Sequence, residues 1–355
     1  MHWIIGSLLI AAGIGPMGPD APAREPQLAV SGSAVALVFG AGDSVYFSRS
    51  TDSGRTFSVP VKVGSGPVIP LTRHRGPRIA FSGSAIVITA VAGKTAAQGA
   101  HVHGLPSDGD LIAWRSTDGG KTWSKGIVIN DVPGAPTEGL HGFASNAKGH
   151  LFAAWLDKRA EGTRLYGSRS DDSGLTWSKN VLVYASPDGT ICECCHPSVA
   201  FDHDGTVVVM WRNWLNGSRD MYVARSKDGV GFSAPEKLGT GTWKLNACPM
   251  EGGGVVTTQT GIVTVWRRDR SLFLARPGSP EIEIGEGTDV SISAARNGLY
   301  AIWTTPAGIV FLAPGDKHAR SIGAKGSFPS IVALSGGGAI AAWENEGRIA
   351  FQSVP

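Results

Sequence analysis

Two short segments of this 355-residue chain hold all four of its cysteines. Cys192, Cys194, Cys195 and His196 lie in CECCHPS, and Cys248 lies in NACPME, with the Met250 thioether two residues on. Thiolates beside an imidazole are ligands for soft or borderline ions, so a site for copper(I) or zinc is one reading. Oxidation is the other. Four cysteines admit three pairings, and a bond between the adjacent Cys194 and Cys195 is strained. A link from the first segment to Cys248 is therefore the expected one, stabilising by about 2 to 4 kcal/mol. His101, His103 and His141 offer further imidazoles, although a single histidine is more often an ordinary hydrogen-bonded group.

What positions these residues is a repeat. Ser116 to Trp123 reads STDGGKTW, Ser50 to Phe57 reads STDSGRTF, Ser170 to Trp177 reads SDDSGLTW, and a shortened SKDGVGF runs from Ser226 to Phe232. The Asp (Asp52, Asp118, Asp172, Asp228) can accept bonds from turn amides. The Gly supplies a positive φ, and the aromatic ring plugs the hairpin onto a sheet. The pattern resembles the Asp-box, or BNR, repeat of the sialidase superfamily, over roughly residues 27 to 355.

A unit of three strand-like runs recurs seven times, the second run ending at Phe39, Ala92, Trp155, Trp211, Trp266, Trp303 and Trp343, and a fourth short run follows in six of the seven. This predicts an all-β chain, a β-propeller of four-stranded antiparallel blades. Seven blades follow from the repeat, and six, the number in sialidases, is the alternative. The last unit lacks a fourth run, so residues before Gln27 are expected to supply it and tie the termini together. A two-sheet sandwich would not generate seven similar units.

In such a blade, loops from a fourth strand to the next first strand share a face with loops joining second to third strands. The Asp-boxes occupy the other face. Aligning Pro197 with Pro249 makes His196 and Cys248 equivalent positions of adjacent blades, and gathers the cysteines near the axis. The resemblance to sialidases implies three arginines clamping a carboxylate, an acid/base carboxyl and a tyrosine nucleophile. Arg78, in GPRIA, matches the family's Arg-Ile-Pro motif except that Ala80 replaces the proline. Arg212 in WRNW and Arg267 in WRRD follow second strands and complete the candidate clamp. Glu138, Asp157 and Glu251 are the candidate acids. The five tyrosines fall at blade-packing positions, so orthodox sialidase catalysis lacks its nucleophile. Trp214 and Trp243 either stack on a sugar ring or cover the cysteines.

Composition agrees with a single β domain: 49 Gly, 21 Pro, 11 Trp and 17% charged residues suit short strands and tight turns. The net charge of +3 is not gathered into runs, which argues against nucleic acid or a membrane surface as partner. Residues 3–15 form an apolar run too short to span a bilayer, followed by a small-residue site at Ala21-Pro22-Ala23. A signal peptide over 1–23, a propeller over 24–355 and a secreted or periplasmic location are expected. Three functions remain open. One is a carbohydrate-active, glycosidase-like or acidic-glycan-binding propeller with its site at the axial mouth. The second is a metal-binding or redox-linked propeller, the third is a non-catalytic scaffold, and a monomer is expected under all three.

Overall fold

The computed structural model describes residues 12–98 and 104–355 and contains seven four-stranded antiparallel sheets arranged as a β-propeller. His101 and His103 lie outside the described residues. Blade 1 runs Ala23–Ser31, Ala34–Ala41, Ser44–Ser50 and Val61–Ser65 from the axis outward. The inner strands of blades 2 to 7 are Arg78–Ser82, His141–Ser145, Ser198–Phe201, Gly253–Thr258, Thr288–Ala295 and Ser327–Ala333. Outward from each lie two antiparallel neighbours and a short outer strand. The outer strand of blade 7 is Ala12–Ile14, which pairs with Arg348–Val354. The clasp between the two ends of the chain is therefore where the missing fourth run predicted it.

Burial explains the sequence of each strand. A second strand is covered on both faces by neighbouring blades, so Ala85–Ala92, AIVITAVA, is buried at every residue. A third strand faces the blade's outer half and alternates, as in Asp110–Ser116. The core is divided into wedges, with one apolar cluster between each successive pair of blades and a seventh joining blade 7 to blade 1. Trp155, Trp211, Trp266, Trp303 and Trp343, which close five of the second strands, are all at most 3% exposed within those wedges.

The Asp-boxes form the expected turns. Asp118 accepts from the Ser116 hydroxyl at 2.8 Å, from the Lys121 and Thr122 amides at 3.0 Å each, and from the Thr122 hydroxyl at 2.6 Å. Such donors hold Asp52 and Asp118 below the ordinary carboxylate range, and Asp228 at about 2. The aromatic ring, however, reaches past its own sheet in three of the four boxes. Phe57 meets Phe351 of blade 7, Trp123 meets Phe47 of blade 1, and Phe232 meets Phe152 of blade 3. The arginine before each of the first three boxes completes the stitch: Arg49 donates to the Gly119 carbonyl at 3.4 Å, Arg115 to the Ser173 carbonyl at 2.9 Å and Arg169 to the Asp228 carbonyl, each in the following blade.

One alignment is corrected by register. Ser198 pairs with Met210 and Gly253 with Trp266, so His196 matches Gly252 and Cys248 lies four residues upstream of that position. The proline of the second segment is not the counterpart of Pro197, because the loop leading into blade 5 is longer.

Candidate functional site

The first strands begin around the axis on the face away from the Asp-boxes, and the residues just ahead of them form the mouth. Three of these positions are register breaks: Glu25, Asp289 and Phe328 carry φ of 54°, 58° and 50° where the ladders of blades 1, 6 and 7 slip. A positive φ at a bulge turns the side chain out of the sheet plane toward the hub. Blade 2 contributes a loop in which Arg73 and His74 also have positive φ. A cavity of about 170 Å³ results, its wall including Gln27, His74, Arg78, His196, Asp289 and Pro329.

Of these residues, His74 has the most partners. Its Nε2 lies 3.0 Å from Asp289 Oδ1, its ring centroid is 4.7 Å from that of His196, and Phe328 packs edge-on against it at 5.2 Å. The His74 amide donates to Glu25 Oε1 at 2.9 Å, and the Glu25 amide donates to Glu344 Oε1 at 2.7 Å. Gly76 is required here, because a Cβ at that position would come within 2.5 Å of the Glu25 Cβ. Arg78 donates to the carbonyls of His74 at 2.6 Å and Pro77 at 3.1 Å.

Burial and charge split these groups. Burial raises Glu25 to about 8, helped by the nearby Glu344 and opposed by His74 and Arg78. Glu251 and Glu344 are raised as well, again chiefly by burial. Burial acts the same way on Asp289, but the hydrogen bond and charge of His74 outweigh it and hold Asp289 below its usual value. Reciprocally, burial would lower His74, and Asp289 raises it. The result is an imidazolium–carboxylate pair above neutral or reluctant acids. His196, buried beside the cations His74 and Arg78, is held well down and stays neutral.

The other candidates distribute as follows. Glu251 meets Arg267 Nε at 2.5 Å and the Val290 amide at 3.3 Å, so this acid and this arginine neutralise each other beside the mouth. Arg212 is 1% exposed and donates to the carbonyls of Glu251, Arg219 and Arg267 at 3.2, 2.8 and 2.9 Å. It ties loops together rather than facing the cavity, so the three-arginine clamp is not assembled. Glu138 is held by Arg75 and Lys158. Asp157, fully buried, accepts from the Trp155 indole at 2.8 Å and from Arg159. His141, also fully buried, bonds Thr89 at 2.9 Å and is lowered to about 3 by burial. These three belong to the packing of blades 2 and 3. All five tyrosines are in second, third or fourth strands, as expected.

The cysteines do not form the expected cross-link. The sulfurs of Cys192, Cys194 and Cys195 are 3.3 to 3.9 Å apart, well beyond the roughly 2.05 Å of a bond, and Cys248 is exposed and separate. Arg219 Nη1 donates to Cys192 Sγ at 3.0 Å. Those neighbouring thiols, with Arg219 and Arg212, hold Cys192 well below an ordinary thiol. Trp214 stacks on Arg219 at 4.5 Å, while Trp243 lies 5.2 Å from Arg212 and 5.4 Å from Arg267. Both indoles therefore cover the arginines around the cysteines.

Sequence reasoning missed Glu25, His74, Asp289 and Glu344. The dipeptides Glu25-Pro26, His196-Pro197 and Phe328-Pro329 occupy one repeat position, and that recurrence was the available signal. His74 carried none.

A family model for BNR repeat-like domains matches residues 87–247. No curated protein matches the chain. Among solved structures, an α-L-arabinanase of Penicillium chrysogenum complexed with arabinobiose is similar, with 15% identity, 97% of this chain and 96% of that one covered, and a TM-score of 0.58. An ulvan lyase bound to a GlcA-Rha3S glycan shares 11% identity over the same proportions, also at 0.58. A leech intramolecular trans-sialidase complexed with 2,7-anhydro-Neu5Ac shares 12%, covering 97% and 70%, at 0.56. The chain thus carries a BNR repeat-like region over residues 87–247, and its β-propeller fold is similar to those of an arabinanase, an ulvan lyase and a trans-sialidase.

Proposed function

We propose that this propeller processes an acidic glycan at its axial mouth by proton transfer, with His74 as the donor. The observation that carries the reading is the His74–Asp289 pair at 3.0 Å, lining the axial cavity beside Arg78. Asp289 keeps the imidazole protonated and oriented, which is what a general acid near neutral pH needs. Nδ1 is the ring nitrogen that Asp289 does not engage. Arg78 and the imidazolium make the cavity cationic, a match for a carboxylate or sulfate on the sugar. Three of the five guanidinium N–H donors of Arg78 go to carbonyls at 2.6 to 3.4 Å, leaving two for a ligand. Arg78 is thus the arginine retained from the sequence-based clamp, while Glu251 and Arg267 neutralise each other at its edge.

The test compares turnover of 3′-sialyllactose, a GlcA-Rha3S polymer and arabinan oligosaccharides, with unsaturated products monitored in the ultraviolet to separate elimination from hydrolysis. Cleavage of an acidic substrate is expected. His74→Gln should lower kcat by about 100-fold or more, and Arg78→Ala should act mainly on KM. Preference for the neutral arabinan, or full activity in His74→Gln, defeats the reading.

A further inference from the structure

The three sulfurs beside the mouth play no part in that reaction, yet they are arranged as a ligand set. We propose that Cys192, Cys194 and Cys195 form an all-sulfur site for a single copper(I) ion, with the Met250 thioether as an added soft neighbour.

The argument begins with spacing. A metal about 2.3 Å from each of three sulfurs sets them about 3.8 Å apart in a tetrahedral arrangement and about 4.0 Å apart in a trigonal one. The observed separations are 3.7 Å for Cys192–Cys194, 3.9 Å for Cys194–Cys195 and 3.3 Å for Cys192–Cys195. The last must open most, by about 0.5 Å for the tetrahedral arrangement and about 0.7 Å for the trigonal one. The loop already points all three inward: Cys192, Cys194 and Cys195 are 0%, 6% and 1% exposed, while the intervening Glu193 faces solvent and bonds Thr190. Its backbone is anchored by the Cys192 amide on the Arg212 carbonyl at 3.2 Å and the Ile191 amide on the Thr163 carbonyl at 3.0 Å.

Ligand chemistry selects the ion. Zinc in closed sites takes four nitrogen or thiolate ligands, and here the fourth group packed on the cluster is the Met250 side chain. The nearest histidine in sequence, His196, is turned to the axial cavity, where its Nδ1 accepts the Gly252 amide at 3.3 Å. Thiolates with a thioether, and without oxygen or nitrogen donors, favour copper(I). Three thiolates around a monovalent ion leave two negative charges. Arg219, 3.0 Å from Cys192 Sγ, and Arg212, bonded through Nη1 to the Arg219 carbonyl at 2.8 Å, supply two positive ones. Each cysteine that enters as a thiol releases its proton to solvent. Cys248, exposed and apart, is outside the set.

The full chain, reduced and kept anaerobic, is titrated with copper(I) buffered by bicinchoninate. The expected result is one equivalent retained against the chelator, a sulfur-to-copper charge-transfer band, and X-ray absorption with sulfur neighbours only, at about 2.3 Å. Cys192→Ser and Cys195→Ser should lose the ion with near-ultraviolet dichroism unchanged, whereas Cys248→Ser and His196→Ala should keep it. Should either cysteine variant misfold, the wild-type stoichiometry and sulfur-only shell still decide. No retained copper, a nitrogen in the shell, loss of the ion in Cys248→Ser, or a Cys192–Cys195 disulfide formed in place of binding would each overturn the proposal.

Discussion

At the scale of single residues, the mouth is defined by carboxyl groups that differ in how they are compensated. Glu25 is 1% exposed and raised to about 8, against 4.5 unperturbed. Above about 4.5 the unfolded chain has lost this proton and the folded chain keeps it. Stability from this group is therefore complete below that pH, declines as pH rises, and is lost above about 8. Glu25→Gln keeps an acceptor for the His74 amide and cannot ionise. Its melting temperature should gain on wild type between pH 5 and pH 9, by the equivalent of a few kcal/mol at most; a difference that stays constant with pH would contradict the assignment. Asp289 does the opposite work. Asp289→Asn removes the charge that raises His74, so the alkaline limb of a pH–rate profile should move to lower pH, and an unmoved limb would exclude the pair from catalysis. Little of this was readable beforehand. Arg78, Glu251 and the cysteine segments stood out because their neighbours are distinctive, whereas Asp289 and Glu25 matter through a φ and a register slip that no residue type announces.

Among the elements, the third-to-fourth turns were the most legible, since serine, aspartate and glycine at fixed spacing dictate the same hydrogen bonds wherever they occur. Their outward partners were not legible. Gly120, at φ 89°, lies where a Cβ would meet Phe47 of the preceding blade at 2.0 Å. Gly205 has the same φ with nothing within 4 Å. Gly120→Ala should therefore cost about 2 kcal/mol more than Gly205→Ala in urea unfolding. Equal costs would mean that the turn is merely local. The mistaken pairing of Pro197 with Pro249 has a similar origin, because loop length varies between blades and a shared dipeptide does not fix register. The disulfide expectation rested on which pairing avoids strain and failed on direction, since the three clustered sulfurs converge while Cys248 is exposed.

For the whole molecule, the seven-fold count was available because every blade must bury its second strand on both faces, which forces an apolar run at each repeat. The closing clasp followed from one absent strand. Ala12, Gly13 and Ile14 pair with Phe351, Ala350 and Ile349, and Ile14, Met17 and Ala21 pack on the wedge between blades 7 and 1. Cleavage at Ala21–Ala23, the site read from the sequence, would remove that strand and leave Arg348–Val354 as a bare edge. A chain beginning at Pro22 should melt a few degrees below one beginning at Ala12, with faster amide exchange over 348–354. Identical melting would make the clasp dispensable.

That clasp also sets an order of events in the cell. Its first half precedes every blade along the chain and its second half lies in the last blade, so the early blades can form while the ring waits for Arg348–Val354. Until then the open ring has two unpaired strand edges, which the pairing of three residues seals.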